Sequence, residues 1–160
     1  EAFPEARVIY MVRDPVQTIP STMSLLSGPL HARFGFWDLP EEQRSRFLNR
    51  LYLGLVDIYR AFHEDWVSGA IDRERVILCP FPRLMTDFEG WMEELLDFLG
   101  HDPDPAFLAD IAQTAEAQRS HQSGHDYDLA RFGLDEAVIR RDCSFVYETF
   151  FEKARDEGQA

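Results

Sequence analysis

The alternation of apolar and polar positions along the chain predicts two short strands with helices between and after them. Val8–Val12 is short, apolar and rich in β-branched residues, which is typical of a strand buried on both faces. Arg75–Cys79 has a similar character and predicts a second strand. Because helical segments connect the two runs, we expect the strands to be parallel. The predicted fold class is α/β, mostly helical, with a parallel sheet and flanking helices.

The first two helices are predicted from proline positions and helical spacing. Pro15 suits a first helical turn, with Asp14 as its N-cap. Ser27-Gly28-Pro29 is expected to end this helix, after which residues 30–40 form a loop with several aromatic side chains. A long second helix begins at residues 39–42, and six of its apolar side chains recur at helical spacing: Phe47, Leu51, Leu55, Ile58, Phe62 and Trp66.

Three more helices are predicted after the second strand. One begins at Pro82 and ends at Gly100, a residue suited to a helix C-cap. Another covers Ala106–Gln118, and it is followed by a polar, irregular stretch. The last helix runs from Asp135 to about Arg155. The chain shows no internal repeat and no low-complexity segment.

Chain length and strand count bear on the domain organisation. A chain of 160 residues fits one domain, and we assign residues 1–160 to a single domain. Two strands are too few for a parallel sheet, and the sequence opens at Glu1 rather than at a methionine. We therefore expect the C-terminal part of a larger domain, with an unpaired apolar edge on the Val8–Val12 strand.

Charge and cysteine content narrow the classes of partner. The net charge of −13, from 16 Lys and Arg against 29 Asp and Glu, disfavours nucleic acids and anionic membrane surfaces. The negative excess lies after residue 33, so the first segment tolerates an anion. Cys79 and Cys143 form neither a disulfide framework nor a zinc pattern, and no apolar run reaches the length of a membrane span. Because reduced thiols are the default in the cytosol, we expect a cytoplasmic protein.

Arg13 directly follows the first strand, where a buried charge needs an anionic partner. In open α/β sheets, ligands bind outside the carboxyl ends of the strands, and helix N-termini offer free N–H groups to anions. A guanidinium binds phosphate oxygens through two parallel hydrogen bonds, and Ser21 can donate its hydroxyl to the same oxygens. The alternative is a structural ion pair of Arg13 with Asp14 or with a distant carboxylate. Both interpretations are open at this point.

Three segments of the chain together carry a family resemblance, and the first is the run RVIYMVRDP from Arg7 to Pro15, followed by Ser21. This segment is similar to the 3′-phosphate-binding segment of the sulfotransferases that use 3′-phosphoadenosine 5′-phosphosulfate (PAPS). Phe88 to Gly100 is similar to a family helix that ends in Phe-Leu-Gly. Leu129 to Ile139 resembles the C-terminal signature of a bacterial branch. The three segments occur in the family's order and span most of the chain.

The resemblance implies a function and a set of binding residues. It implies a partial P-loop-like fold and transfer of a sulfuryl group from PAPS to a hydroxyl or amine of a small-molecule, glycan or lipid acceptor, without a metal. Arg13 and Ser21 would bind the 3′-phosphate, and Phe81 would pack near the adenine. Arg119 and Ser120 are further candidate contacts, because they lie where the family folds a basic loop over the nucleotide. The alternative for that stretch is an exposed polar linker.

Other expected features of the family do not occur in the sequence. The chain has no Gly-rich loop for the 5′-phosphosulfate, which in this family lies near the N-terminus of the domain. The usual catalytic base also precedes the RDP strand, so it is expected upstream of Glu1 and no catalytic residue is assigned. We therefore expect no sulfotransferase activity from these 160 residues alone.

Two further groups of side chains have more than one interpretation. Three aromatic residues of the predicted loop either line an acceptor pocket or bury the loop: Phe34, Phe36 and Trp37. His121 and His125 have a spacing that suits metal binding on a helix, but Gly124 and the polar setting argue against a helix there. No metal site is predicted.

Three functional hypotheses follow. The first is the C-terminal part of an active PAPS-dependent sulfotransferase. The second is a P-loop nucleotide kinase relative, which a Gly-rich loop ending in Gly-Lys-Ser/Thr would favour. The third is a non-catalytic remnant that binds a nucleotide or a partner. The acceptor, the catalytic base and the oligomeric state are not predicted.

Overall fold

A computed structural model describes residues 5–119 and 128–151 and confirms the predicted fold class. In this part of the chain the protein is mostly helical, with one two-stranded parallel sheet. The described residues form two compact units. The first contains residues 5–13 and 69–119, and the second contains residues 14–68 and 128–151. The assignment of residues 1–160 to one domain stays a prediction.

The helices and strands follow the predicted order. They are β1 (Val8–Val12), α1 (Pro15–Phe34), α2 (Glu41–Ser68), β2 (Val76–Pro80), α3 (Phe81–Thr86), α4 (Phe88–Leu99), α5 (Pro105–Arg119), α6 (Glu136–Asp142) and α7 (Ser144–Val146). Three short 3-10 turns and one π-helical turn complete the elements: Phe36–Asp38, Arg73–Arg75, Ala130–Phe132 and Tyr147–Phe151. None of the helices in the described ranges is long and apolar enough to cross a membrane.

The parallel sheet belongs to the first unit. β1 and β2 pair in register, with Val8 opposite Val76 and Val12 opposite Pro80. Three apolar side chains of β1 are about half exposed, which shows that the prediction of burial on both faces is wrong: Val8 (45%), Ile9 (47%) and Met11 (51%). Side chains of a strand alternate between the two faces of a sheet, so Ile9 and Met11 share one face, which the described residues leave only partly covered. The unpaired apolar edge expected on β1 is present in the described residues.

The core of the first unit joins β2 and α4. Buried side chains form its centre and half-buried ones surround it: Cys79, Trp91 and Leu95, then Ile77, Leu84, Met92 and Phe98. Asp87 accepts a hydrogen bond from the Gly90 N–H at 3.3 Å and caps the start of α4. It also divides the single helix that was predicted from Pro82. Gly100 ends α4 at φ 65°, a left-handed conformation that favours glycine, so the predicted C-cap is confirmed.

Helix α1 in the second unit is longer than predicted. It continues through Pro29 to Phe34, and the Gly35 N–H then closes the helix on the His31 carbonyl at 2.8 Å. The predicted end at the Gly28–Pro29 pair is therefore wrong. Proline removes one helical hydrogen bond, yet the helix continues to Gly35, whose left-handed conformation caps it and which precedes the buried Phe36. The buried positions of α1 after its first residue are Ile19, Pro20, Met23 and Ser27.

Helix α2 confirms the predicted long helix but not its buried face. The fully buried side chains are Leu48, Tyr52 and Val56, which follow one another at intervals of four residues. Of the predicted stripe, Phe47 is 40% and Ile58 is 68% exposed. The buried face thus lies one residue further along than predicted. Apolar residues occupy adjacent faces of this helix, so spacing alone did not distinguish them.

The aromatic residues after α1 separate into buried and exposed members. Phe36 is buried, with its ring centroid 5.0 Å from that of Trp37 and 5.1 Å from that of Phe47. Phe34 is 68% exposed. Of the two interpretations of this segment, Phe36 therefore supports burial of the turn. The structure does not show a pocket that these three residues form together in the described range.

The helix predicted from Asp135 is divided within the described residues. α6 ends at Asp142, and Cys143 departs from helical geometry with φ −110° and ψ 19° before α7 begins. The Tyr52 hydroxyl of α2 donates to Asp142 Oδ2 at 2.8 Å. Cys79 and Cys143 are both buried and free. This junction therefore joins α6 to the buried face of α2.

Candidate functional site

The carboxyl ends of the two strands bring Arg13 and Phe81 together. Because Val12 lies opposite Pro80, the next residue of each chain segment lies at the same end of the sheet. The Arg13 guanidinium carbon is 4.3 Å from the centroid of the Phe81 ring. This is a cation–π contact, an interaction worth about 0.5–1 kcal/mol at exposed sites. The family resemblance implies that both residues bind the donor, and within the first unit the two side chains are in contact.

Arg13 has no carboxylate partner in the described part of the chain. Its Nε is buried and makes no hydrogen bond there, and no ion pair of that region includes it. Leaving a buried donor unpaired costs about 1–3 kcal/mol, so such groups nearly always have a partner. The alternative interpretation, a structural ion pair, therefore has no support in residues 5–119 and 128–151. A bound anion would supply the missing acceptor.

Asp14 caps helix α1 within the second unit. Its Oδ1 accepts from the Val16 N–H at 2.9 Å and from the Tyr147 hydroxyl at 2.5 Å. The Asp14 carbonyl accepts from the N–H groups of Gln17 and Thr18, the two residues after Val16, at 3.0 and 2.9 Å. The free N–H groups that we expected at this helix start are thus already hydrogen-bonded. An anion would have to be held by side chains instead.

Ser21 is the seventh residue of α1 and is half-buried. It lies further into the helix than the start position that we predicted for it. The hydroxyls of Thr18 and Thr22 donate to carbonyls four residues earlier, at 3.1 and 2.9 Å. The Ser21 hydroxyl makes no such bond with a described residue. Among these three hydroxyls, it is the one that has no hydrogen-bond partner in the described ranges.

Arg119 ends α5 and is held by two carboxylates of the first unit. Its Nη2 is 2.7 Å from Glu116 Oε2, and its Nη1 is 3.5 Å from Glu89 Oε2. The hydrogen bond to Glu116 raises the pKa of the Arg119 guanidinium. A phosphate would have to replace these exposed ion pairs, and a phosphate contact stays a prediction. Three other residues of this stretch that the sequence singled out lie outside the described ranges: Ser120, His121 and His125.

Tyr147 lies within the last helix that the sequence predicts, and the sequence did not single it out as a site residue. Its hydroxyl donates to Asp14, and the Arg140 guanidinium carbon is 5.5 Å from its ring centroid. Burial raises the pKa of the Tyr147 hydroxyl well above its usual value, so the hydroxyl is protonated and able to donate at neutral pH. The sequence gives no signal for this contact, because the partners are 133 residues apart.

The comparison with protein families identifies the relationship of the chain. The model described as Sulfotransferase family matches residues 1–105 of the 160. This range includes Arg13, Ser21 and Phe81, whereas Arg119 and Tyr147 lie beyond it. The searches of curated proteins and of solved structures found no match. Since the family match covers more than half of its length, the chain belongs to the sulfotransferase family, whose general activity is sulfuryl transfer.

Proposed function

We propose that this protein uses PAPS as its sulfuryl donor and that Arg13 contacts the donor's 3′-phosphate. The proposal rests on the surroundings and the hydrogen bonding of the Arg13 guanidinium. Its guanidinium lies at the end of a strand on the Phe81 ring, with a buried Nε that lacks a partner among the described residues. Family membership supports sulfuryl transfer in general. The unpaired guanidinium supports a donor that carries an anionic group at this position.

The contact with Phe81 prepares the guanidinium for an anion. The ring covers one face, while the N–H groups lie in the guanidinium plane, where two phosphate oxygens can be bound at once. Because the ring restricts the arginine side chain, less conformational entropy is lost when an anion binds. Phe81 also has a second face. In the proposal, the adenine of the donor packs near this ring, as the family resemblance implies.

The other proposed donor contacts rest on weaker support. Ser21 is proposed as a second contact to the 3′-phosphate, supported by the sequence resemblance and by its unused hydroxyl. Arg119 is proposed as a further phosphate contact, for which it would exchange the carboxylates of Glu116 and Glu89. Ser120 is proposed on the resemblance alone. The catalytic base is not assigned to a residue of this chain.

The proposed reaction is an in-line displacement at sulfur. The acceptor oxygen or nitrogen forms a bond to sulfur while the bond from sulfur to the 5′-phosphate oxygen breaks, which releases adenosine 3′,5′-bisphosphate. The acceptor's proton passes to a base. Positioning and stabilisation of the developing charge would supply most of the catalysis. Arg13 would contribute donor recognition. A small-molecule, glycan or lipid acceptor and a cytoplasmic location belong to the same proposal.

Nucleotide binding by the full-length protein tests the role of Arg13. A hydrogen bond to a charged group is worth about 1.5–3 kcal/mol, so Arg13→Ala should weaken binding of adenosine 3′,5′-bisphosphate roughly 10- to 150-fold. Binding of adenosine 5′-phosphate should barely change, since it lacks the 3′-phosphate. Isothermal titration calorimetry measures both affinities.

Arg7→Ala is a matched control for the charge. Arg7 precedes the same strand, and its guanidinium carbon is 5.4 Å from the centroid of the Phe98 ring. Its Nη1 donates to the Phe98 carbonyl. Arg7→Ala thus removes the same charge from the other end of β1 and should leave bisphosphate binding close to that of the wild type. Equal losses for both nucleotides, or equal effects of the two variants, would show that Arg13 does not recognise a 3′-phosphate.

A further inference from the structure

A cavity of about 370 Å³ lies within the second unit, between the start of α2 and the turn Ala130–Phe132. Its volume falls within the range of about 300–1,000 Å³ that is typical of small-molecule sites. The lining side chains come from residues 41–49 and 130–134. None of them belongs to the proposed donor site, so the cavity has no role in the function described so far.

Trp37 holds both guanidinium groups of the cavity lining. Arg44 Nη1 donates to the Trp37 carbonyl at 3.2 Å and to the Leu39 carbonyl at 3.1 Å. The Arg131 guanidinium carbon is 4.4 Å from the centroid of the Trp37 ring. That ring in turn lies 6.1 Å from the ring of Phe132, which is buried. Two arginine side chains are therefore held beside one residue, on a packed aromatic base.

Neither arginine has a carboxylate partner in residues 5–119 and 128–151. The ion pairs of those ranges involve other basic side chains, although the chain holds 29 Asp and Glu against 16 Lys and Arg. Glu41 also lines the cavity, but it forms no ion pair with Arg44 or Arg131. Two positive charges beside one residue repel each other, and an anion that binds both removes this repulsion. The two arginines therefore point to an anionic ligand.

The rest of the lining indicates the kind of molecule that carries the anion. Ser45 and Asn49 are four residues apart on α2, so they lie on one face of the helix. A serine hydroxyl and an asparagine amide can each donate and accept, which suits the hydroxyl groups of a sugar. The buried side chains of Leu48 and Phe132 add apolar surface to the same cavity. An apolar surface with a few polar groups suits a hydroxylated ring.

We propose that this cavity binds a sugar that carries an anionic group, either a carboxylate or a sulfate. The oxygens of the anion accept from the in-plane N–H groups of Arg44 and Arg131. Ser45 and Asn49 hydrogen-bond to the hydroxyls of the sugar ring. The inference goes beyond the proposed function, because it does not assume that Arg13 binds a donor.

NMR titrations of the full-length protein with three sugars test the proposal. D-Glucuronate and D-glucose 6-sulfate present a carboxylate and a sulfate on the same ring, and the tighter ligand identifies the preferred group. Chemical-shift changes should centre on the backbone amides of residues 41–49 and 130–134. Neutral D-glucose lacks the charge-assisted hydrogen bonds and should bind at least about tenfold more weakly than the tighter anionic sugar.

Three variants assign the binding to the cavity. Arg131 is exposed, so Arg131→Gln should fold and should weaken binding of the anionic sugars about five- to tenfold. Arg46→Gln is the matched control, because Arg46 lies on the same helix but pairs with Glu42 at 3.1 Å and does not line the cavity. Its affinity should stay within about twofold of the wild type. Glu41→Gln removes the negative charge of the lining and should strengthen binding by up to about fivefold.

The gain expected from Glu41→Gln keeps the test valid if Arg131→Gln does not fold, since damage to the structure does not increase affinity. Equal binding of glucose and of both anionic sugars would refute the role of the anion. Equal losses in Arg131→Gln and Arg46→Gln, or shift changes centred elsewhere, would refute the assignment to this cavity. Inorganic sulfate that binds as tightly as glucose 6-sulfate would refute recognition of the sugar.

Discussion

Removing the Tyr52 hydroxyl should reveal how much the second unit depends on one partly buried hydrogen bond. Tyr52 is 5% exposed, and its hydroxyl donates to Asp142 Oδ2 at 2.8 Å. The Asp142 side chain is 27% exposed and also lies 2.8 Å from Arg141 Nη2. Tyr52→Phe keeps the ring in place, so it opens no large cavity. The substitution therefore isolates the hydrogen bond from the packing of the ring.

The expected cost follows from the surroundings of Asp142. Hydrogen bonds to charged groups contribute about 1.5–3 kcal/mol. In Tyr52→Phe the carboxylate keeps Arg141 and gains access to water, which places the loss below that range. We expect the free energy of unfolding to fall by about 1 kcal/mol at pH 7, which corresponds to a melting temperature lower by roughly 2–4 °C.

The same contact predicts a pH dependence. The hydrogen bond from Tyr52 lowers the pKa of Asp142 below its ordinary value of 3.8. The carboxyl therefore binds a proton less readily in the folded state than in the unfolded state, and its contribution is complete above the unfolded pKa. That contribution disappears as the pH falls through the lower, folded pKa. The difference in stability between wild type and Tyr52→Phe should thus shrink below about pH 4.

Urea denaturation followed by circular dichroism measures this prediction. A double-mutant cycle with Asp142→Ala isolates the pair, because effects of Asp142 on Arg141 cancel in the cycle. The coupling free energy should be about 1 kcal/mol at pH 7 and clearly smaller at pH 3.5. A coupling near zero at pH 7, or one of equal size at both pH values, would refute the assignment of this stabilisation to a charged hydrogen bond.

Two further predictions concern a glycine and the two thiols. Gly100→Ala should lower the free energy of unfolding by about 1 kcal/mol because its φ is +65°. Gly28→Ala, in open space on helix α1, should be neutral or stabilise by up to about 1 kcal/mol in the same thermal melts. Equal changes in stability for Gly100→Ala and Gly28→Ala would count against the role of Gly100 as the C-cap of α4. Burial raises the pKa of Cys79 and raises that of Cys143 to about 11, so a thiol reagent at pH 8 should label neither until urea is added. Rapid labelling of the native protein would show that the structure around Cys79 and Cys143 opens easily and exposes the thiols.

Local features of the chain predict the part of the site that lies at the strand ends. A short β-branched run followed by Arg-Asp-Pro indicates a strand, a charge at its carboxyl end and a helix start. The structure has this order at Val8–Val12, Arg13 and Pro15. The cap by Asp14 is confirmed as well, since its carboxylate accepts from the Val16 N–H. Each of these features depends on residues that are close in sequence, where backbone preferences act directly.

Features that depend on distant partners could not be predicted from the sequence. The buried face of α2 is set by the elements that pack on it. Phe47 precedes Leu48 and Leu51 precedes Tyr52, so apolar residues one position earlier satisfy the same spacing. Helix α1 continues past Pro29 and is capped at Gly35, directly before Phe36, whose ring packs on Phe47 of α2. The contact of Tyr147 with Asp14 joins the two ends of the second unit. No local rule identifies that partner.

The way α1 is capped has a consequence for anion recognition. A helix N-terminus attracts anions because its first N–H groups lack partners. In this chain the Asp14 carboxylate and carbonyl already accept from those groups, so the helix start has little left to offer a phosphate. In the proposed donor site the stabilisation would then come from side chains, foremost the planar fork of Arg13. An ammonium group does not reproduce two parallel in-plane hydrogen bonds. Charge alone at residue 13 should therefore not suffice, and Arg13→Lys should bind the bisphosphate more weakly than the wild type.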